Sequence, residues 1–236
     1  MNDHFDNLNI LITGGSRGIG AEAARFFAGK GATVFIAART ESRLNEVASG
    51  FQDNIIPLRA DLNNPDDIQH LKNSIREKSG KLDVLINNAG VLINKPFLET
   101  TDAEWETQIS CNLTAPARLI RELVPLMNKG GHIMNIGSMG GFQGSSKFPG
   151  LSAYSAAKGG LAILSECLAG ELSSHEISVN CLCLGAVQTE MLEQAFPGFQ
   201  APVSAKDMGS LIAWFSVTGK KFFNGKVIPV ALADPS

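Results

Sequence analysis

Tyr154 and Lys158 are the residues of this 236-residue chain whose types and spacing most directly suggest chemistry. Four positions apart on a helix, their side chains project from one face, one turn from each other. Tyr154 is also the only tyrosine in the sequence. A phenol ionises at about pH 10, too high for acid–base work near neutrality, and an adjacent ammonium lowers that value by favouring the phenolate. The pair therefore reads as a proton-transfer centre tuned by Lys158, with an ordinary surface contact between two polar side chains as the bland reading.

A second chemical feature stands near the start of the chain. Thr13-Gly14-Gly15-Ser16-Arg17-Gly18-Ile19-Gly20 follows an apolar run directly and opens into a helical pattern carrying Ala21, Ala24, Phe26 and Phe27. Glycines let a backbone approach a pyrophosphate, and a helix N-terminus offers it free N–H groups, so Gly14, Ser16, Arg17, Gly18, Ile19 and Gly20 are candidate dinucleotide contacts. The next apolar run ends at Ala37-Ala38-Arg39, where a site for NAD normally carries an acid for the ribose 2′-hydroxyl. Arg39, together with Arg17, instead suits a 2′-phosphate and so NADP(H), unless both are simply solvated arginines. Asp61, with Leu62 beside it, stands where an adenine amino group would need an acceptor; Asp61 equally suits a turn cap.

These residues need a scaffold that brings strand ends together. Leu8 to Thr13, Thr33 to Ala38, Ile55 to Arg59, Val84 to Asn87, His132 to Ile136, Ser178 to Cys183 and Val227 to Val230 read as strands, with helical patterns between them. Several are apolar on consecutive residues, as in a parallel sheet covered on both faces. The expected fold is α/β, a doubly wound parallel sheet of about seven strands, the Rossmann fold. Asn64-Pro65-Asp66-Asp67 and Thr101-Asp102-Ala103-Glu104 mark helix starts. Residues 102–127 and 153–173 read as long helices, and no linker interrupts the chain. A single domain, 1–236, is expected, with its substrate site formed by loops 138–153 and 189–203.

Composition removes other classes. A net charge of −3 with scattered basic residues gives no footprint for nucleic acid. His4, His70, His132 and His175 are dispersed, and Cys111, Cys167, Cys181 and Cys183 lack paired ligand spacing, so no metal is expected and the cysteines read as buried, reduced packing residues. The polar start, Met1 to Asn7, has no basic-then-apolar leader, and no apolar run is long enough for a membrane span. A soluble cytoplasmic protein is the default.

Taken together, the glycine loop, Asn87-Asn88-Ala89-Gly90, Ser138 and Tyr154-Ser155-Ala156-Ala157-Lys158 resemble the short-chain dehydrogenase/reductase family over nearly the whole chain. The resemblance implies that Asn88, Ala89 and Gly90 line the cofactor and that Lys158 holds the nicotinamide ribose. It also implies that Ser138 hydrogen-bonds the substrate oxygen and that Asn112 positions a water linking Lys158 to solvent. Val187 and Thr189 would contact the nicotinamide, in a segment where Leu184 replaces the family's proline. The motifs are similar to those of 3-oxoacyl-acyl-carrier-protein reductases, implying an NADPH-dependent carbonyl reductase that forms a homo-oligomer, a dimer or a tetramer. Trp105, Ile109, Leu161, Leu164 and Leu168 are candidates for its apolar interface or for the monomer core. The same residues suit an NAD(P)+-dependent secondary-alcohol dehydrogenase run in reverse. A catalytically silent dinucleotide-binding regulator is the rival from another class. Three departures stand out: a long loop before Tyr154 bearing Lys147, which suits either an anionic substrate or solvent; a short lid, 191–203; and a tail from Ala231 to Ser236 in place of the usual acidic, glycine-rich ending.

Overall fold

The computed structural model of the chain describes residues 5–232, so Met1–His4 of the polar start and residues 233–236 of the tail lie outside the described residues. Seven parallel strands form one sheet: β1 (Asn9–Thr13), β2 (Thr33–Ala38), β3 (Ile55–Arg59), β4 (Leu82–Asn87), β5 (Met127–Ser138), β6 (Ser178–Leu184) and β9 (Val227–Val230). Their spatial order is β3-β2-β1-β4-β5-β6-β9, so the chain crosses from one half of the sheet to the other between β3 and β4, and the two halves adjoin at β1 and β4. At such a crossover the connections leave in opposite directions and open a crevice at the carboxyl ends of the strands. The doubly wound sheet expected from the strand runs is the fold observed.

The consecutive apolar residues have a direct packing reason. Ile10 and Ile12 of β1 face one layer, with Phe27 of α1 (Gly18–Ala28), Leu44 of α2 (Glu41–Ala48) and Ile212 of α8 (Ala205–Thr218). Leu11 points the other way, into a core with Ile68 and Leu71 of α3 (Pro65–Ser79) and Leu119 and Leu123 of α5 (Ala115–Leu123). Side chains alternate across a strand, so one buried on both faces must be apolar throughout.

Helix starts follow the cap residues. The Asn64 side chain accepts from the Asp66 N–H at 3.0 Å, with Pro65 in the first turn of α3. At α4 (Asp102–Ile109), Thr101 and Glu104 form a reciprocal capping box. The long helix expected over 102–127 divides into α4, a π turn over Ser110–Thr114 and α5. Pro116 lacks the N–H that the Asn112 carbonyl, four residues earlier, would receive in a continuous α-helix. The counterpart over 153–173 forms as α6 (Ser152–Glu171). Two short strands, β7 (Val187–Gln188) and β8 (Val203–Ser204), pair in parallel and enclose α7 (Glu190–Ala195); at two residues each, they carry no readable periodicity. Among the described residues no helix is long and apolar enough to cross a membrane.

The cysteine expectation needs correction. Cys181 and Cys183 are buried, but Cys167 lies exposed on α6 and Cys111 is half-buried, because the outer face of a surface helix tolerates a small thiol.

His132 is wholly buried in β5, its Nδ1 2.7 Å from the Ser216 carbonyl and its Nε2 2.9 Å from the Asn180 amide nitrogen. A neutral ring that donates from Nδ1 and accepts at Nε2 satisfies both neighbours, and burial holds its pKa down to about 4. The unfolded chain binds this proton at about pH 6.5 and the native state does not. Stability supplied by the neutral ring is therefore complete above that value and lost as pH falls towards about 4. Urea unfolding between pH 7 and pH 4 should lose about 3 kcal/mol that a His132→Gln variant does not lose over the same window.

Candidate active site

The end of β1 and the end of β4 are fastened to each other where the crevice opens. Thr13 Oγ1 accepts from the backbone N–H groups of Asn88 at 3.1 Å and Ala89 at 3.0 Å. In return, Asn88 Nδ2 donates to the carbonyls of Thr13 at 2.9 Å and Gly14 at 3.3 Å. The Asn88 side chain thus holds the glycine loop and leaves only its remaining surface to a ligand. Thr13 was not singled out from the sequence, where it is one more β-branched residue at a strand end.

Gly14 has φ +67°, and a Cβ there would lie 2.9 Å from the Ala89 Cα. Gly18, at φ +55°, faces the Thr189 methyl, 3.5 Å from where its own Cβ would stand. These are the positions where the turn requires glycine. Arg17 precedes the first turn of α1 without a side-chain cap, so the N–H groups of that turn remain available to an anion.

The crevice is a cleft of about 950 Å³, and the sequence-predicted site residues line it with the exception of Gly20 and Asn112. A Cβ on Gly20 would lie 2.5 Å from the Gly14 carbonyl oxygen, so this glycine allows α1 to pack against its own loop. Asn112 is wholly buried behind the wall, where Nδ2 donates to the carbonyls of Val91 and Gln108, both at 2.8 Å, and Oδ1 accepts from the Val91 N–H. Its amide is committed to the loop after β4, which leaves its backbone carbonyl as the group able to hold a water. Gln108, also buried, holds the same loop by accepting from the Ile93 N–H at 3.0 Å. No motif marked Gln108 in the sequence.

Arg39 stands exposed at the end of β2 on the cleft wall. Arg17 lies 2.5 Å from Glu190, and Arg43 of α2 lies 3.1 Å from the same carboxylate oxygen. Both arginines hold the Glu190 carboxyl below its ordinary value, Arg17 foremost. Asp61 is engaged in a local turn through the Asn63 N–H at 2.9 Å while still lining the cleft. Thr189 caps α7 by accepting from the Leu192 N–H, which leaves its hydroxyl proton free to donate.

Ser138 at the end of β5 and Tyr154 in the first turn of α6 meet at the cleft floor. The Lys158 ammonium lies 5.8 Å from the centre of the Tyr154 ring and donates to the Ile136 carbonyl at 2.7 Å. Burial lowers the Lys158 pKa to about 8, opposed by the nearby thiols of Cys181 and Cys183. Tyr154 keeps part of its surface open to the cleft, yet desolvation pushes its phenol up to about 12, with the Ser138 hydroxyl acting in the other direction. The protein's own surroundings therefore act against the lowering expected from Lys158 together with an oxidised nicotinamide. Low-dielectric surroundings penalise the phenolate, and Lys158 directs a proton to Ile136 rather than to the phenol oxygen. A protonated phenol at neutral pH is the form that can give up a proton.

The placement of α6 depends on a buried polar ladder. Asn87 Nδ2 donates to Asn135 Oδ1, Asn135 Nδ2 donates to Ser165 Oγ, both at 2.8 Å, and Ser165 Oγ donates to the Leu161 carbonyl at 2.7 Å. Lys147, by contrast, donates to the Phe142 carbonyl and Ser145 hydroxyl of its own loop and borders a separate outer groove, so the cleft does not receive it. Among the described residues no group of three or more His, Cys, Asp and Glu is placed to hold a metal ion.

A family model described as short chain dehydrogenase matches residues 8–198. The chain is similar to nodulation protein G of a Rhizobium species, 32% identical over 93% of this chain and 94% of that one. It is also similar to the 3-oxoacyl-acyl-carrier-protein reductase of Salmonella typhimurium, 30% identical over 96% of each. Among solved structures, a short chain dehydrogenase from Burkholderia cenocepacia in complex with NADP superposes with a TM-score of 0.87 at 26% identity, covering 97% of this chain and 98% of that one.

Replacing Thr13 by Val keeps shape but removes the acceptor for two backbone N–H groups. The variant should unfold about 1–3 kcal/mol more easily in urea and bind a dinucleotide more weakly, which fluorescence titration would measure.

Proposed function

Because this chain belongs to the short-chain dehydrogenase family of oxidoreductases, we propose that it is an NADPH-dependent carbonyl reductase, with a 3-oxoacyl thioester among its candidate substrates. The observation that carries the reading is the meeting of Ser138, Tyr154 and Lys158 on one cleft, beneath a glycine loop whose close backbone approach fits a pyrophosphate. Gly14, Ser16, Arg17, Gly18 and Ile19 would cradle the pyrophosphate, with Asp61 and Leu62 at the adenine. Ala89 and Gly90 would border the ribose held by Lys158, and Val187 and Thr189 the carboxamide. Arg39, where an acid would select NAD, supports NADP(H), and Arg17 lines the same cleft. The dinucleotide, when bound, would supply the hydride.

The chain's own residues handle the substrate oxygen. Ser138 donates a hydrogen bond to it, and Tyr154 gives it the phenolic proton as negative charge develops. The carbonyl carbon gains a hydride and its C–O π pair moves to oxygen, so the ketone becomes an alcohol as NADPH is oxidised. Lys158 would then return a proton to the phenolate and be recharged from solvent through a water positioned by Asn112. A homo-oligomer belongs to the same reading: Leu161 is consumed by the monomer core, while Ile163 on α6 and Trp214 on α8 face outward.

Tyr154→Phe should keep NADPH affinity within about twofold and lower kcat by roughly 10²–10⁴-fold, read from NADPH oxidation with a diketone. Unchanged turnover would refute the assignment. Arg39→Asp should weaken NADPH binding by about tenfold or more while leaving NADH unaffected or improved. An unaltered preference in paired titrations would remove the cofactor reading.

A further inference from the structure

The cleft beyond Ser138 and Tyr154 has a chemical character that the catalytic residues alone do not specify. Its walls come from the loop after β5 and from α7 with the segment that follows it, and they present Leu151, Phe148, Met191, Leu192, Phe196 and Phe199. Phe148 and Phe196 meet across the mouth at 6.2 Å between ring centres, joining the two walls. Asn94 fixes the end of α7 by donating to the Ala195 carbonyl at 2.9 Å. Phe148 and Phe199 leave 38% and 49% of their surfaces open, so aromatic faces rather than polar groups meet an entering molecule.

Charge is distributed in the opposite sense. The charged residues of the cleft are Arg17, Arg39, Arg43, Asp61, Lys158 and Glu190. The arginines, Asp61 and Glu190 belong to its dinucleotide half, and Lys158 lies buried under Tyr154 with its ammonium on Ile136. Lys147, the one cation in the long loop, folds back onto that loop, and Lys95 is held by both oxygens of Glu104. The lid helix α7 carries Glu190 and Glu193 and no cation. A carboxylate or phosphate entering here would lose hydration without gaining a cationic partner among the described residues of this half.

We infer that the substrate is a neutral ketone flanked by apolar or aromatic groups, free rather than attached to an anionic carrier. This rests on the reductase reading and narrows it: the carbonyl oxygen takes polar contacts from Ser138 and Tyr154, and aromatic contact with Phe148 and Phe196 supplies the rest of the binding. A substrate whose anionic group must enter this half of the cleft is thereby disfavoured.

The test uses the full chain with NADPH and three substrates: 1-phenyl-1,2-propanedione, the same diketone bearing a ring carboxylate, and acetoacetyl-coenzyme A. The neutral diketone should show a kcat/KM roughly 100-fold above either anion at low salt. A Phe196→Lys variant, checked for fold by circular dichroism and for NADPH binding by fluorescence, should narrow the diketone ratio about tenfold by giving the carboxylate a partner. Equal or better turnover of either anion by the native protein would overturn the neutral-substrate inference and leave the reductase reading intact. So would an unchanged ratio in a folded Phe196→Lys protein. Bound NADPH with no turnover of any of the three would overturn the reductase reading itself, and this inference with it.

Discussion

Two neighbouring strands whose continuations diverge must still satisfy their last backbone groups, and the exchange between Thr13 and Asn88 does this. At a topological switch point no further strand residue is available to pair, so unsatisfied N–H and C=O groups would otherwise line a cavity. One hydroxyl accepts two N–H groups and one amide returns two bonds to carbonyls. The glycine loop is thereby rigid at its root and open at its tip. The close approach of Gly14 to Ala89, at a positive φ, accompanies that fastening.

Burial is the second organising effect, and it acts on both chemical partners. It raises the Tyr154 phenol and lowers the Lys158 ammonium, so both are held nearer their neutral forms than water would hold them. Lys158 remains at about 8, which keeps it mostly cationic near neutrality, and Ile136 receives one of its protons. Cys181 and Cys183, adjacent on one face of β6, lie under this lysine, where hydrogen bonding within the pair holds the Cys183 thiol below its ordinary value. The ladder of Asn87, Asn135 and Ser165 keeps α6 at a fixed height over the sheet, so the register of Tyr154 and Lys158 against Ser138 is a property of the core.

Function also divides along charge. One half of the cleft is cationic and partly self-paired, with Glu190 of the lid bound to Arg17 and Arg43; the other half is apolar and closed by two phenylalanines. The lid helix therefore touches both halves, one through an ion pair and the other through aromatic contact. Relatives include a carrier-protein reductase, and one fold can host many functions, which leaves the choice of substrate to such loops.

The sequence by itself determined the alternation of strand and helix, the glycine loop, the caps at Asn64 and Thr101 and the Tyr154–Lys158 spacing. Each is a local signal: side-chain period, backbone permissiveness or a one-turn separation. Only the tertiary structure decided what depends on neighbours distant in the chain. The phenol of Tyr154 rises because residues from β5 and β6 remove water from it, which four-residue spacing cannot express. Asn112 turns its amide to Val91, Asn88 gives its own to Thr13, and Lys147 folds back on its loop, because polar groups bond whatever the fold brings within reach. The partnership of Glu190 with Arg17, 173 positions away, arises in the same manner: no short window of sequence contains both partners.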